Sequence, residues 1–300
     1  MPISTIDTPG SYRGRIAPTP SGLLHTGHAR TFWMAWHRCQ VASGMLVYRN
    51  EDLDPLRCKA NLTDVALADM RWLGLHWQEG PDVGGPHAPY HQSQRTNFYL
   101  QAWKKLLARG HIYPCRRSRK ELRDYAQEKG LDAFDPVFPE DWRPNDYDRE
   151  VPSPNNDHAW RFKVPIGKRV VFVDRNPSVG EKSYVCGEDF GDFVVWRRDN
   201  VSAYELAVVA DDAAMGITEV VRGEDLLLST ARQILLYDAL GLAPPAFFHC
   251  PLLLDEEGRK LSKSLGSRSI ADNRDCGVDP NEWRLRFQED YDALAKGVRI

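Results

Sequence analysis

The 300-residue chain has no apolar run approaching the roughly twenty residues that a membrane-spanning helix needs. Its opening stretch, MPISTIDTPGSYRGR, has no apolar core of the kind a secretory leader carries. Together these absences set the expectation of a cytoplasmic protein that does not meet a membrane. Cysteine is sparse and scattered: Cys39, Cys58, Cys115, Cys186, Cys250 and Cys276 form no CxxC, CxC or Cys-His cluster. A zinc ribbon and a thioredoxin-type centre are therefore not indicated, and free thiols in a reducing compartment are expected. Charge is nearly balanced, with a formal net of -3. That argues against a surface given over wholly to nucleic acid and leaves room for a local basic face. Internal repeats and low-complexity tracts are also missing.

What remains is the composition of an ordinary globular protein, 42% hydrophobic and 27% charged. RGRIAP (13–18) is strand-like and runs into the breaker-rich TPSG. From Gly27 the pattern turns helical, with Ala29, Phe32, Trp33, Trp36 and Val41 at spacings that share a face and Ser43-Gly44 as a stop. MLVYRNEDLDP then gives a second strand, closed by Asp54-Pro55. Strand, helix and strand in this order make the βαβ unit of a parallel sheet. Two further helices follow, one on Leu62, Val65, Ala66, Met70 and Leu73, the other on Phe98, Trp103, Leu106 and Leu107.

From Tyr113 the character changes. Arg116, Arg117, Arg119, Lys120 and Arg123 open a helix-like segment, and residues 131–157 are proline-rich, acidic and without period, hence irregular. WRFKVP and RVVFVD are expected strands, with Trp160 and Trp196 in the core. The parallel pattern resumes with YELAVVADD and GITEVVRGED as strands, a helix from about Ser229 to Leu240, and the strand-like AFFHC and PLLLDEEGRKLSKS.

Two short motifs carry chemistry. In PTPSGLLHTGH, a strand hands over to a helix, which is where open α/β sheets bind ligands. A helix N-terminus suits phosphate, Gly22 and Gly27 permit close approach, and His25 and His28 can donate hydrogen bonds. Alone, the motif reads equally well as a capped helix with two incidental histidines. Far downstream, KLSKS (Lys260 to Ser264) is a cationic loop between Gly258 and Gly266. Such a loop can stabilise pyrophosphate leaving an adenylate-forming reaction, and alone it reads equally well as a solvated surface loop.

As a pair, the motifs resemble the HIGH and KMSKS signatures of class I aminoacyl-tRNA synthetases. The resemblance implies a Rossmann-like parallel sheet with an inserted α+β subdomain, divided as 1–112, 113–190 and 191–300. It makes His25, His28, Lys260 and Lys263 catalytic, and it places Pro18, Gly22, His25, Gly27, His28 and Lys263 on ATP, used with Mg2+. RIAPTPSGLLHTGHART further resembles the opening of glutamyl-tRNA synthetases, as do YRNEDLDP, YELAVVADD and GITEVVRGED. On that likeness Arg15, Ile16, Ala17, Pro18, Thr19, Glu51, Tyr204 and Arg222 bind L-glutamate, with Arg15 reading the side-chain carboxylate. Arginines suit two carboxylates and a glutamate suits one ammonium group.

Only 36 residues follow Ser264, so no anticodon-binding domain is expected. This, with EDLDPLR, resembles the glutamyl-Q tRNA(Asp) synthetase subfamily, which implies tRNA(Asp) as partner and glutamylation of its queuosine base. The alternative is a minimal glutamyl-tRNA synthetase charging an acceptor end. Another HIGH-type adenylate former and a non-catalytic RNA-binding paralogue remain as more distant readings. Many members of the subfamily hold zinc after this point. Here YPCRRSR keeps Cys115 but has Arg117 in the second ligand position, so no metal is expected. A monomer is expected.

Overall fold

A computed structural model describes residues 11–132, 136–148, 153–154, 157–253 and 268–300. Strand β1 (Arg13–Ile16) leads through the TPSG loop into helix α1 (Thr26–Val41) and back to β2 (Met45–Tyr48). The strands pair in parallel, from Arg13 opposite Met45 to Ile16 opposite Tyr48. Ala29 and Trp33 of α1 are buried as expected, but Val41, the last residue of the helix, is 59% exposed. The helix stops because Ser43 takes a positive φ of 49° and Gly44 presses against Tyr12. A Cβ at Gly44 would lie 2.5 Å from the Tyr12 carbonyl, so only glycine fits. Helices α2 (Ala60–Trp72) and α3 (Thr96–Ala108) follow, each ending near a glycine of positive φ, Gly74 and Gly110.

Next come β3 (Ile112–Cys115), α4 (Arg119–Glu128), β4 (Ala159–Phe162), β5 (Arg169–Val173), β6 (Glu181–Val185) and β7 (Phe193–Trp196). β3, β4 and β7 form an antiparallel sheet in that order, and β5 with β6 forms a separate antiparallel pair. Trp160 and Trp196 are core residues, as expected. They pack on Trp103 of α3, with ring centroids 4.9 and 6.5 Å away, which ties the antiparallel sheet to the preceding helix. Within the irregular stretch 131–157, residues 136–148 contain a 3-10 turn at Glu140–Trp142. There Arg143 clamps the buried Asp192 at 2.7 Å.

YELAVVADD departs from expectation. It is not a strand but helix α5 (Tyr204–Ala214). Glu205 to Val209, Asp211 and Asp212 are all buried, because α3, α6 and β7 surround the helix. A helix covered on most sides shows no polar face, so its continuous apolar run looks like a buried strand. Strand β8 (Glu219–Gly223), helix α6 (Leu227–Leu240) and strand β9 (Ala246–Cys250) match the expected order. β8 and β9 pair in parallel. The rest of the strand-like PLLLDEEGRKLSKS is not borne out where it can be seen: 251–253 carry no strand, and 254–267 lie outside the described residues. Helices α7 (Ile270–Asp275) and α8 (Pro280–Ala295) close the chain.

The two parallel pairs meet along β1 and β8, where Thr218 N–H donates to the Arg13 carbonyl at 2.9 Å. Beneath that seam, Glu219 accepts two bonds from Arg38 at 2.6 and 2.7 Å and one from the Tyr12 hydroxyl at 2.7 Å. The molecule is thus mixed α/β. Among the described residues no helix is long and apolar enough to cross a membrane.

Candidate active site

The segments leaving the carboxyl ends of β1, β2, β8 and β9 converge on one cleft of about 760 Å³. Ala17, Pro18, Thr19, Gly22, His25, Gly27 and His28 line it from the first loop and helix start. Arg15, Glu51, Tyr204 and Arg222 line it from β1, the end of β2, α5 and β8. Residues far apart in sequence are therefore brought to one wall. Ile16 is the exception, fully buried in the apolar core beside the cleft. It does not line the cleft, and its carbonyl accepts the Arg49 N–H at 2.9 Å. Lys260 and Lys263 lie outside the described residues.

His25 is the N-cap of α1. Its Nδ1 accepts the Gly27 N–H at 3.2 Å, while His28 Nδ1 accepts the His25 N–H at 3.2 Å. This is a capping box built from imidazoles. With each Nδ1 accepting, the proton of the neutral ring belongs on Nε2. The rings stand 3.9 Å apart. Gly27 permits this, since a Cβ there would come within 3.1 Å of the His25 ring. The helix start therefore combines backbone N–H groups, partial positive charge and two imidazole donors.

The wall formed by Arg15 and Arg222 is cationic and buried. Arg15 is 5% exposed and donates Nη1 to the Val221 carbonyl at 2.6 Å. Its Nε has no hydrogen-bond partner and lies 4.0 Å from Asp212. Burial pulls the Arg15 guanidinium below its usual range. Asp212 is held more tightly by Arg49, at 2.6 Å, and Arg49 also reaches Glu51 at 2.9 Å. Burial raises the Glu51 carboxyl above its ordinary value against the pull of Arg49 and Arg15. Arg222 donates to Thr230 Oγ1 at 2.7 Å and approaches the Tyr204 hydroxyl at 3.4 Å. Burial pushes the Tyr204 hydroxyl up to about 12, so it stays protonated at neutral pH. Two buried guanidiniums, a carboxylate and a phenol thus line the same cleft, and guanidiniums pair well with carboxylates.

Some buried polar side chains behind the cleft wall are not evident from the sequence. Arg49 lies inside YRNEDLDP, and Asp212 lies in the helix mistaken for a strand, so neither advertised a partner. Asn50 is buried in a polar pocket: its Oδ1 accepts from Thr63 at 3.2 Å and its Nδ2 meets His91 Nδ1 at 3.1 Å. A second cleft of about 1070 Å³ adjoins the first and shares Thr19, Glu51 and Tyr204 with it. Arg57, Arg119, Arg123 and Arg197 line it, so part of the basic cluster faces this second cleft. Cys115 packs with Tyr113, Leu122 and Phe138, and Arg117 pairs with Glu121 at 3.1 Å. Among the described residues no group of His, Cys, Asp or Glu gathers that could hold a metal. The described residues around Cys115, mostly apolar and with Arg117 two positions on, do not fit a tetrahedral zinc set.

Comparison with known proteins bears directly on this cleft. The family described as "tRNA synthetases class I (E and Q), catalytic domain" matches residues 11–282. The glutamyl-Q tRNA(Asp) synthetase of Symbiobacterium thermophilum is 46% identical over 276 residues, covering 89% of this chain and 82% of that protein. The protein of the same name from Nitratidesulfovibrio vulgaris is 42% identical, with 89% and 82% covered. Among solved structures, a glutamate tRNA ligase from Elizabethkingia meningosepticum in complex with its amino acid superposes with a TM-score of 0.71 at 28% identity. The match covers 86% of this chain and 54% of that one.

Proposed function

The chain belongs to the class I tRNA synthetases of the glutamate and glutamine type, and we propose from that premise that it activates L-glutamate with ATP and transfers it to the queuosine base of tRNA(Asp). The observation that carries this reading is the likeness to two glutamyl-Q tRNA(Asp) synthetases over 82% of each of them.

The cleft supplies the parts in order. Arg15 takes the side-chain carboxylate of glutamate and Arg222 the α-carboxylate. Glu51 takes the ammonium, whose charge favours the ionised form that burial opposes. Tyr204 and Thr19 add hydroxyl bonds, and Ala17 and Pro18 line the floor with Ile16 buried behind them. ATP enters with Mg2+ as part of the substrate and lies on Pro18, Gly22 and Gly27, its phosphates on the α1 N-terminus, His25 and His28. An oxygen of the α-carboxylate attacks the α-phosphorus, a new P–O bond forms, and the bond to the bridging oxygen breaks. Lys260 and Lys263 offset the charge that builds on departing pyrophosphate. A nucleophile on the queuosine base then attacks the activated carbonyl carbon and AMP leaves. The same reading divides the chain into two halves of a Rossmann-like catalytic sheet, 1–112 and 191–300, around an inserted 113–190 that meets the RNA. The enzyme works in the cytoplasm as a monomer.

Exchange of labelled pyrophosphate into ATP tests the first step. Exchange that depends on L-glutamate is the expected result. Exchange supported by a different acid and not by glutamate would contradict the reading.

A further inference from the structure

His249 of β9 is fully buried next to the cleft without lining it. Its Nδ1 is hydrogen-bonded to the carboxylate of Asp174, whose Oδ1 also accepts the His249 backbone N–H at 3.0 Å and that of Asn176 at 2.8 Å. A carboxylate only accepts, so Nδ1 carries the proton and Nε2 presents its lone pair. That lone pair stands 3.0 Å from Thr230 Oγ1 and 3.4 Å from Arg222 Nε. Thr230 Oγ1 in turn accepts from Arg222 Nη2 at 2.7 Å. Two of the three nitrogens of the Arg222 guanidinium are therefore held from behind, and Nη1 is the one beside Tyr204 at the cleft wall.

The ring must stay neutral for this to work, because a second proton on Nε2 would face the Arg222 N–H. Burial holds the His249 imidazole below its ordinary value in spite of Asp174, with Arg222 and Arg15 as the other charged groups that act on it. The backbone after β5 is fastened to β9 as well: Arg175 N–H donates to the Phe247 carbonyl at 2.8 Å and Asn176 Nδ2 to the His249 carbonyl at 2.7 Å. Asp174 thus arrives from the β5–β6 hairpin at a fixed place behind a residue of β8.

We propose that Asp174, His249 and Thr230 form a relay that orients the Arg222 guanidinium toward the substrate carboxylate, with His249 as the positioning residue. The inference rests on the reading of Arg222 as a glutamate ligand. It assigns the β5–β6 hairpin a part in amino-acid affinity although the hairpin does not touch the substrate.

The test uses glutamate-dependent pyrophosphate exchange with three variants, each with its thermal unfolding measured. His249→Asn keeps a donor for Asp174 and loses the acceptor for Arg222, whereas His249→Gln places an acceptor near the Nε2 position. Losing one hydrogen bond to a charged group corresponds to roughly a tenfold to hundredfold effect. His249→Asn is expected to raise the glutamate KM by about that factor, leave the ATP KM unchanged, and be partly rescued by His249→Gln. Both variants lowering the melting temperature with the glutamate KM within about twofold of the parent would overturn the relay. Arg222→Ala separates the two levels. If it too leaves the glutamate KM unchanged, the assignment of Arg222 fails and the relay falls with it. If it raises the KM while His249→Asn does not, the relay alone is wrong. Should His249→Asn fail to fold, Thr230→Val preserves shape, removes the hydroxyl link, and is expected to raise the same KM.

Discussion

Replacing Arg15 by alanine isolates the group proposed to select glutamate. The fold should tolerate it, because Arg15 has one backbone tie, to Val221, and its acidic neighbour Asp212 keeps Arg49 at 2.6 Å. The substrate has no such substitute. Its side-chain carboxylate would be taken from water into a wall that is 5% exposed at Arg15, and the other arginine of β1, Arg13, does not line the cleft and is paired with Glu79 at 2.9 Å. Removing one partner of a buried, hydrogen-bonded charge pair costs about 2 to 5 kcal/mol, which corresponds to roughly 30- to 4,000-fold in affinity. Pyrophosphate exchange measured against glutamate concentration reads this as a rise in KM. Running glutamine in parallel reads it as lost discrimination, because the amide never needed the charge. An unchanged glutamate KM, or undiminished preference for glutamate over glutamine, would refute the assignment and place the carboxylate elsewhere.

Other expectations follow from the same arrangement. Lys263→Ala should abolish exchange while calorimetric glutamate binding stays near the parent value, and comparable exchange rates would remove Lys263 from its role. Glu219→Gln should destabilise the protein by about 3 to 5 kcal/mol in urea unfolding at neutral pH, since it leaves buried Arg38 without its counter-charge. Burial alone would raise the Glu219 carboxyl, but hydrogen bonds and charge from Arg38 outweigh it and hold it below the usual range. Its stabilising contribution is therefore complete above the ordinary glutamate pKa of about 4.3 and is lost as pH falls from there through the depressed folded value. Urea midpoints of the parent should decline over that window, and those of the variant should decline less. Asn50→Val should cost about 1 to 3 kcal/mol by stranding the buried Thr63 hydroxyl, with exchange activity retained; an unchanged urea midpoint would contradict the polar pocket.

The parts of the site that lie in one local segment were readable from the sequence. HTGH announces itself because its cap, its glycine and its two imidazoles fall within one helix start. β1, β2, β8 and β9 could be recognised because short apolar runs end at breakers. The walls of the cleft are different. Arg15, Glu51, Tyr204 and Arg222 come from four separate elements, and only family likeness suggested that they meet. Arg49 with Asp212, and Asp174 with His249, were not legible at all, since each pair joins distant segments and nothing in a local window marks a buried charge partner. Helix α5 was misread for a related reason: its surroundings, rather than its pattern, determine its form. Val41 likewise fits the α1 spacing but lies beyond the part of the helix that other elements cover.

The most direct measurement is charging of radiolabelled glutamate onto purified tRNA(Asp), with and without queuosine, alongside tRNA(Glu). The expected result is label on queuosine-containing tRNA(Asp) alone, held on the base rather than on the terminal ribose. Label on the acceptor end of tRNA(Glu), with none on queuosine, would contradict it and make this protein a glutamyl-tRNA synthetase of the acceptor-charging kind.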